Sequence, residues 1–211
     1  MSTYSGLNEI QLDALKEIGN IGAGNACTAM SILLGCPVDM TIPKIQLLDF
    51  DKTALTLGGA DNLVLGIQIG ITGNLNGMMF HIIQKPFAEK IINTYYAKEL
   101  NSLREMDEMD ASVLNEMGNI TSGVYANSIA TLTGMLVNIT APEQRCNTVG
   151  ELLQIPLNYF SEIGDKVLLV DEQFIIAGTE ISSNMILLFE NKSLKKLFAK
   201  LGIDSKSEVE E

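Results

Sequence analysis

The sequence predicts an α+β, sandwich-like fold in which two pseudo-twofold related halves share one sheet. Two observations carry this. Residues 15–43, "LKEIGNIGAGNACTAMSILLGCPVDMTIP", lie over residues 114–142, "LNEMGNITSGVYANSIATLTGMLVNITAP", at an offset of 99 with no gap, and eleven of the 29 positions are identical. Each copy is also followed by the same order of elements, strand-like segments and then a shorter amphipathic helix. A repeat of this length is too long for a solenoid unit and too short for two large domains.

The elements follow in order. Apolar residues at helical spacing predict long helices over 9–34 and 107–133. Gly35 and Gly134 stand just past their ends, where a left-handed residue favours a C-terminal cap. Strand-like segments follow at 37–42, 45–49, 62–71 and 74–83 in the first half. In the second they fall at 135–140, 144–149, 167–173, 174–181 and 184–189. Asn74 to Gly77, "NLNG", supplies turn chemistry beside a strand pair. Shorter helices close the halves at 85–97 and 191–201, where "MMFHIIQKPFAEKII" (78–92) and "MILLFENKSLKKLFA" (185–199) share a pattern. The expected organisation is one domain over 1–203, built from repeats at about 8–100 and 107–203. The acidic tail 204–211 is expected to be disordered.

The 211 residues are 46% hydrophobic and 19% charged, a globular composition. The formal net charge of −12 disfavours nucleic acid and anionic membrane as partners. Three cysteines (Cys27, Cys36, Cys146) without a C-x-x-C pair, and one histidine, His81, argue against a disulfide framework or a metal site. There is no basic region followed by an apolar run at the N-terminus, and no apolar stretch of about 18 residues. A reduced, cytoplasmic protein is expected. Cys27 and Cys36 read as small packing residues, His81 as a hydrogen-bonded core or edge residue, and the ten methionines as core filler. Lys195 and Lys196 complement a helix dipole.

"EIGNIGAGN" at 17–25 resembles a phosphate loop only superficially. Phosphate loops follow a strand and open a helix, whereas these glycines lie inside a helical pattern. Their order is G-x-x-G-x-G, and no Lys-Ser or Lys-Thr follows. On a helical wheel Asp13, Glu17, Asn20 and Gly24 share a stripe about 60° wide. Leu15, Ile18, Gly19, Gly22, Ala26, Ala29 and Leu33 fall on the opposite, buried face. The second copy repeats the stripe as Ser112, Glu116, Asn119 and Gly123, while its buried face changes more freely, with Thr121 for Gly22 and Ser128 for Ala29. A polar helix face is ordinarily just solvated. Against that reading, the stripe is duplicated in register. It also holds a mid-helix glycine, which costs about 1 kcal/mol of propensity and leaves room for a partner to approach.

At these residues the sequence resembles the CheC family of bacterial and archaeal chemotaxis phosphatases, also called CheC/CheX/FliY. The family motif is Asp or Ser, three residues, Glu, two residues, Asn, three residues, Gly. Asp13, Glu17, Asn20 and Gly24 match it fully, as do Ser112, Glu116, Asn119 and Gly123. Two intact motifs are most like the CheC type; CheX-like members typically carry one site and dimerise. FliY-like members add a C-terminal switch domain, for which this length leaves no room. The resemblance implies two long helices displaying the sites on one surface. The implied activity is removal of phosphate from the aspartate of a phosphorylated CheY-type response regulator. Mg²⁺ would be supplied by the regulator, with no cofactor of the protein's own. A CheD-type receptor deamidase is a further implied partner, bound away from the site helices, and a monomer is expected.

The residue types suit that chemistry. The stripes hold no nucleophile–base pair, metal cluster or arginine, so they fit a reaction whose metal and electrophile belong to the substrate. A carboxamide accepts and donates without titrating, so Asn20 and Asn119 can hold a water in line with phosphorus, and phosphoryl transfer depends mostly on positioning. Glu17 and Glu116 are cast as docking anchors for a regulator lysine, with a general-base role as the alternative. Asp13 and Ser112 either orient the Glu or touch the partner, and their difference leaves the two sites free to differ in activity. Two other readings stand: a non-catalytic module that docks the regulator or regulates a CheD-type deamidase, and a flagellar-switch component.

Overall fold

Both long helices are set by their ends. The structure, a computed structural model, describes residues 4–159 and 166–203; the expectation for the tail 204–211 lies outside the described residues. Helix α1 (Glu9–Leu34) begins with a capping box, in which Asn8 accepts from the Gln11 backbone and the Gln11 side chain accepts from that of Asn8. Helix α4 (Glu108–Thr133) begins the same way with Asp107 and Asp110. Each box satisfies orphan N–H groups at a helix start. Both helices stop at a left-handed glycine, Gly35 at φ 64° and Gly134 at φ 66°, a conformation that residues with a Cβ rarely adopt.

After α1 come β1 (Val38–Met40), β2 (Lys44–Asp49), α2 (Phe50–Thr56), β3 (Leu63–Gly73), β4 (Gly77–Ile83) and α3 (Lys85–Tyr96). After α4 the order recurs as β5 (Val137–Ile139), β6 (Glu143–Thr148), α5 (Val149–Tyr159), β7 (Lys166–Ile176), β8 (Thr179–Phe189) and α6 (Asn191–Lys200). The sequence reading missed the short helices α2 and α5. It also split one hairpin into three strands: the segments 167–173, 174–181 and 184–189 are the two strands β7 and β8. Their two-residue turn is Ala177-Gly178, at φ 48° and φ 78°, so an alanine occupies a left-handed position where Asn or Gly is the usual signal.

The eight strands of the described residues form one sheet in the order β1-β7-β8-β4-β3-β5, with β2 also on β7 and β6 also on β3. The halves meet at the antiparallel β4–β8 pair, Gly77 opposite Phe189 and Phe80 opposite Ile186. The short strands are exchanged: β1 and β2 of the first half pair with β7 of the second, and β5 and β6 of the second pair with β3 of the first. Neither half has a complete sheet of its own.

Helices α1 and α4 lie together on one face. His81 of β4 and Ile67 of β3, opposite each other in the sheet, point at α4, where His81 Nε2 is 2.8 Å from Ser122 Oγ and Gly118 sits over Ile67. Burial lowers the His81 pKa to about 4, so the ring is neutral, as a core histidine should be. On the opposite face Phe80 and Gly66 pack under Leu152 of α5, and α5 touches α2. On α1 the buried face holds Leu15, Ile18, Gly19, Gly22 and Ala26, and also Gln11, Ala23, Cys27, Met30 and Leu34. Ala29 and Leu33 are only half-buried, a correction to the wheel. The glycines allow close approach: a Cβ on Gly19 would collide with Ile45, and one on Gly22 with the Tyr125 ring of α4.

Tyr125 also ties the helices to the sheet, donating its hydroxyl to Glu172 Oε1 of β7 at 2.7 Å. Glu172 is 4% exposed. Burial pushes its carboxyl up from 4.5 to about 7; the Tyr125 bond opposes this and Asp171 adds to it. An acid raised on folding adds stability that is fully present below its unfolded pKa of 4.5 and is lost as pH rises through about 7. Gln in place of Glu172 keeps the acceptor and removes the charge. Glu172→Gln is therefore expected to melt with a flatter pH profile and to be more stable than the parent at about pH 8, by up to about 3 kcal/mol. Parallel melting profiles from about pH 5 to about pH 8 would show that Glu172 does not titrate there. The same core holds Cys27, whose thiol is pushed up to about 11 by burial, then by Glu172 and Asp39; it is an inert packing residue.

Candidate functional site

The stripes are set by helical spacing on α1 and α4, and both face away from the sheet. Asp13, Glu17 and Gly24 are exposed and Asn20 is half-buried; Ser112 and Glu116 are exposed, and Asn119 and Gly123 half-buried. The eight residues thus fall as two exposed patches on neighbouring helices. The helices touch at Gly22 against Tyr125 and at Asn25, whose Nδ2 donates to Ser128 Oγ at 3.3 Å.

Among the described residues, no partner hydrogen-bonds or ion-pairs with the side chains of Glu17, Asn20, Glu116 or Asn119. Two carboxylates and two carboxamides stand free at the surface, each Glu three residues before its Asn. A Glu and an Asn so placed can together take a cation and a water from an incoming partner. In the second copy Ser112, Glu116 and Asn119 line a shallow cleft with Asn115 and Pro142. In the first, Gly24 lines a depression beside the end of α1.

The glycines differ slightly. A Cβ on Gly24 would meet nothing within 4 Å, and one on Gly123 only Ile139 Cδ1 at 3.8 Å. Neither is held as glycine by its own chain. The described residues contain no group of three or more His, Cys, Asp or Glu arranged to hold a metal, and no described helix is long and apolar enough to cross a membrane.

In the free chain the Asp13 carboxylate accepts from Lys16 Nζ at 2.7 Å. Lys16 has no counterpart in the second copy, where Asn115 stands at that position. It is the sole basic residue in α1 and α4.

The fold and the paired stripes define a duplicated helix-on-sheet domain that carries two copies of one polar constellation on its surface. The CheC-like family model matches residues 10–46 and 109–143, the segments that carry the stripes. The CheY-P phosphatase CheC of Bacillus subtilis (strain 168) is 35% identical over 207 residues, covering 96% of this chain and 99% of that protein. The chain belongs to the CheC-like family. The flagellar motor switch phosphatase FliY of the same organism is 26% identical over 208 residues, which cover 97% of this chain but 53% of that protein. The crystal structure of Thermotoga maritima FliY has the same fold, with a TM-score of 0.72 at 22% identity over 93% of this chain and 98% of that one.

Proposed function

We propose that this protein accelerates hydrolysis of the aspartyl phosphate of a CheY-type response regulator, inserting Glu and Asn from α1 or α4 into the regulator's active site. The observation that supports this reading most is the duplicated Glu–Asn stripe, with each Glu exposed, each Asn half-buried and all four side chains unpaired among the described residues. An acyl phosphate is intrinsically labile, and its Mg²⁺ and lysine belong to the regulator. Asn20 or Asn119 supplies the missing element, a water held in line with phosphorus. A loose phosphoryl-transfer transition state needs little base help, which leaves Glu17 and Glu116 to fix the docking register against a lysine. Gly24 and Gly123 leave space for the regulator's loops. Signal termination or adaptation in the cytoplasm is the corresponding role, with a CheD-type deamidase as a second partner.

The direct test follows phosphate loss from the phosphorylated cognate regulator with and without the protein. Tight binding without acceleration would support a docking module instead. The assay also separates the roles of the two side chains. Alanine at both Glu17 and Glu116 is expected to weaken regulator binding by about tenfold or more, as loss of a charged contact does, and to lower turnover with it. The corresponding Asn variants should leave binding within about twofold, because an uncharged positioning group adds little ground-state affinity. Unchanged affinity in the Glu variant, with a large drop in single-turnover rate, would reassign Glu to chemistry.

A further inference from the structure

The two sites carry the same Glu, Asn and Gly but different charge beside them. In the first, Lys16 lies four residues before Asn20, one turn away on the same side of α1. Its ammonium sits on Asp13, and both side chains are largely open to solvent, 49% and 70% exposed. In the second, the same two positions hold Ser112 and Asn115, both uncharged, and Asn115 Oδ1 is buried with no hydrogen-bond partner among the described residues. No other lysine or arginine occurs on α1 or α4, and the whole chain carries −12. Because Lys16 is paired with Asp13, an anionic group approaching these helices meets the same acidic background at both sites, and Lys16 is the one cation on α1 or α4 that can turn toward it. An exposed i,i+3 ion pair contributes little to stability and exchanges readily.

We infer that Lys16 is a specificity-determining residue: on docking it leaves Asp13 for an oxygen of the phosphoryl group, so that the first site reads the regulator's phosphorylation by charge while the second does not. This rests on the reading above that the stripes dock a phosphorylated regulator. No bond is made or broken in the step; one solvent-exposed ion pair replaces another. The alternative, a solvated pair with no role, would leave regulator affinity untouched.

The experiment uses the full chain with the second site disabled by Glu116→Ala. Kd is measured for the regulator carrying beryllium trifluoride on its aspartate and for the bare regulator. With Lys16 present the phospho-mimic is expected to bind more tightly. Lys16→Asn should shrink that preference about fivefold at low salt, as expected for one exposed charge at contact. Lys16→Arg should restore it, and the difference should fade toward about 1 M salt as screening shortens to about 3 Å. The mirror chain, disabled by Glu17→Ala, should gain the preference on Ser112→Asp with Asn115→Lys. An unchanged ratio of the two Kd values in Lys16→Asn, in a chain that still accelerates phosphate loss, would overturn the role of Lys16 alone. Equal weakening of both regulator forms would also overturn it. Failure of the unsubstituted chain to bind or dephosphorylate the regulator would overturn the phosphatase reading and this inference with it.

Discussion

Replacing Asn20 and Asn119 together with alanine is expected to abolish the stimulated loss of phosphate while leaving the protein folded. Each carboxamide is half-buried on the outer side of its helix and engages no described residue, so truncation leaves no orphaned partner and alanine is the better helix former. The loss falls on the reaction. Removing one preorganised polar group from a transition state lowers the rate by about 10²-fold, so with both sites disabled the regulator should decay at close to its intrinsic rate. Single variants should divide the activity between the sites. A double variant with near-normal turnover and normal circular dichroism would remove the water-positioning role.

Leucine at Gly24 and Gly123 is expected to block regulator docking and with it turnover, by more than about a hundredfold, without unfolding the free protein. Nothing lies within 4 Å of a Cβ at Gly24, and at Gly123 only the Ile139 methyl approaches, at 3.8 Å. Helix propensity favours leucine over glycine by nearly 1 kcal/mol per position, so the melting temperature should hold or rise. The added side chains would stand one turn beyond the asparagines, where the regulator's loops must enter. Alanine at the same positions separates space from flexibility: it should stabilise the helix and cost binding far less. Normal binding and turnover in the leucine variant would show that the stripe is not the contact surface.

The parts of this protein that were legible in its sequence are those with local signatures. Helix α1 and helix α4 announce themselves by apolar spacing and by Gly35 and Gly134, and the stripe by its repetition. Helix α5 was hidden because Pro156 interrupts its pattern, and α2 because seven residues scarcely establish a period. The β7–β8 hairpin was misread because its turn places Ala177 in a left-handed conformation, and because "SSN" at 182–184 breaks the apolar run of β8. Exchange of β1–β2 and β5–β6 between halves leaves no local trace, since strand pairing is a long-range event. The candidates Glu17, Asn20, Glu116 and Asn119 are legible by their shared positions in the two copies. The same comparison hid Lys16, whose interest lies in having no counterpart. The tie from Tyr125 to Glu172 joins residues 47 apart and needed the fold to be seen.

The strand exchange has a consequence for how the chain reaches its native state during synthesis. When the first half leaves the ribosome, β1 and β2 have no strand to lie on, because β7 begins at Lys166. The outer edge of β3 likewise stays bare until β5 and β6 arrive. Contacts of such large sequence separation close slowly, and unpaired edges are where nascent chains stick to one another. The nascent chain therefore carries raw sheet edges until its last third has been translated, and its solubility over that interval falls to the acidic surface and to whatever chaperone shields it.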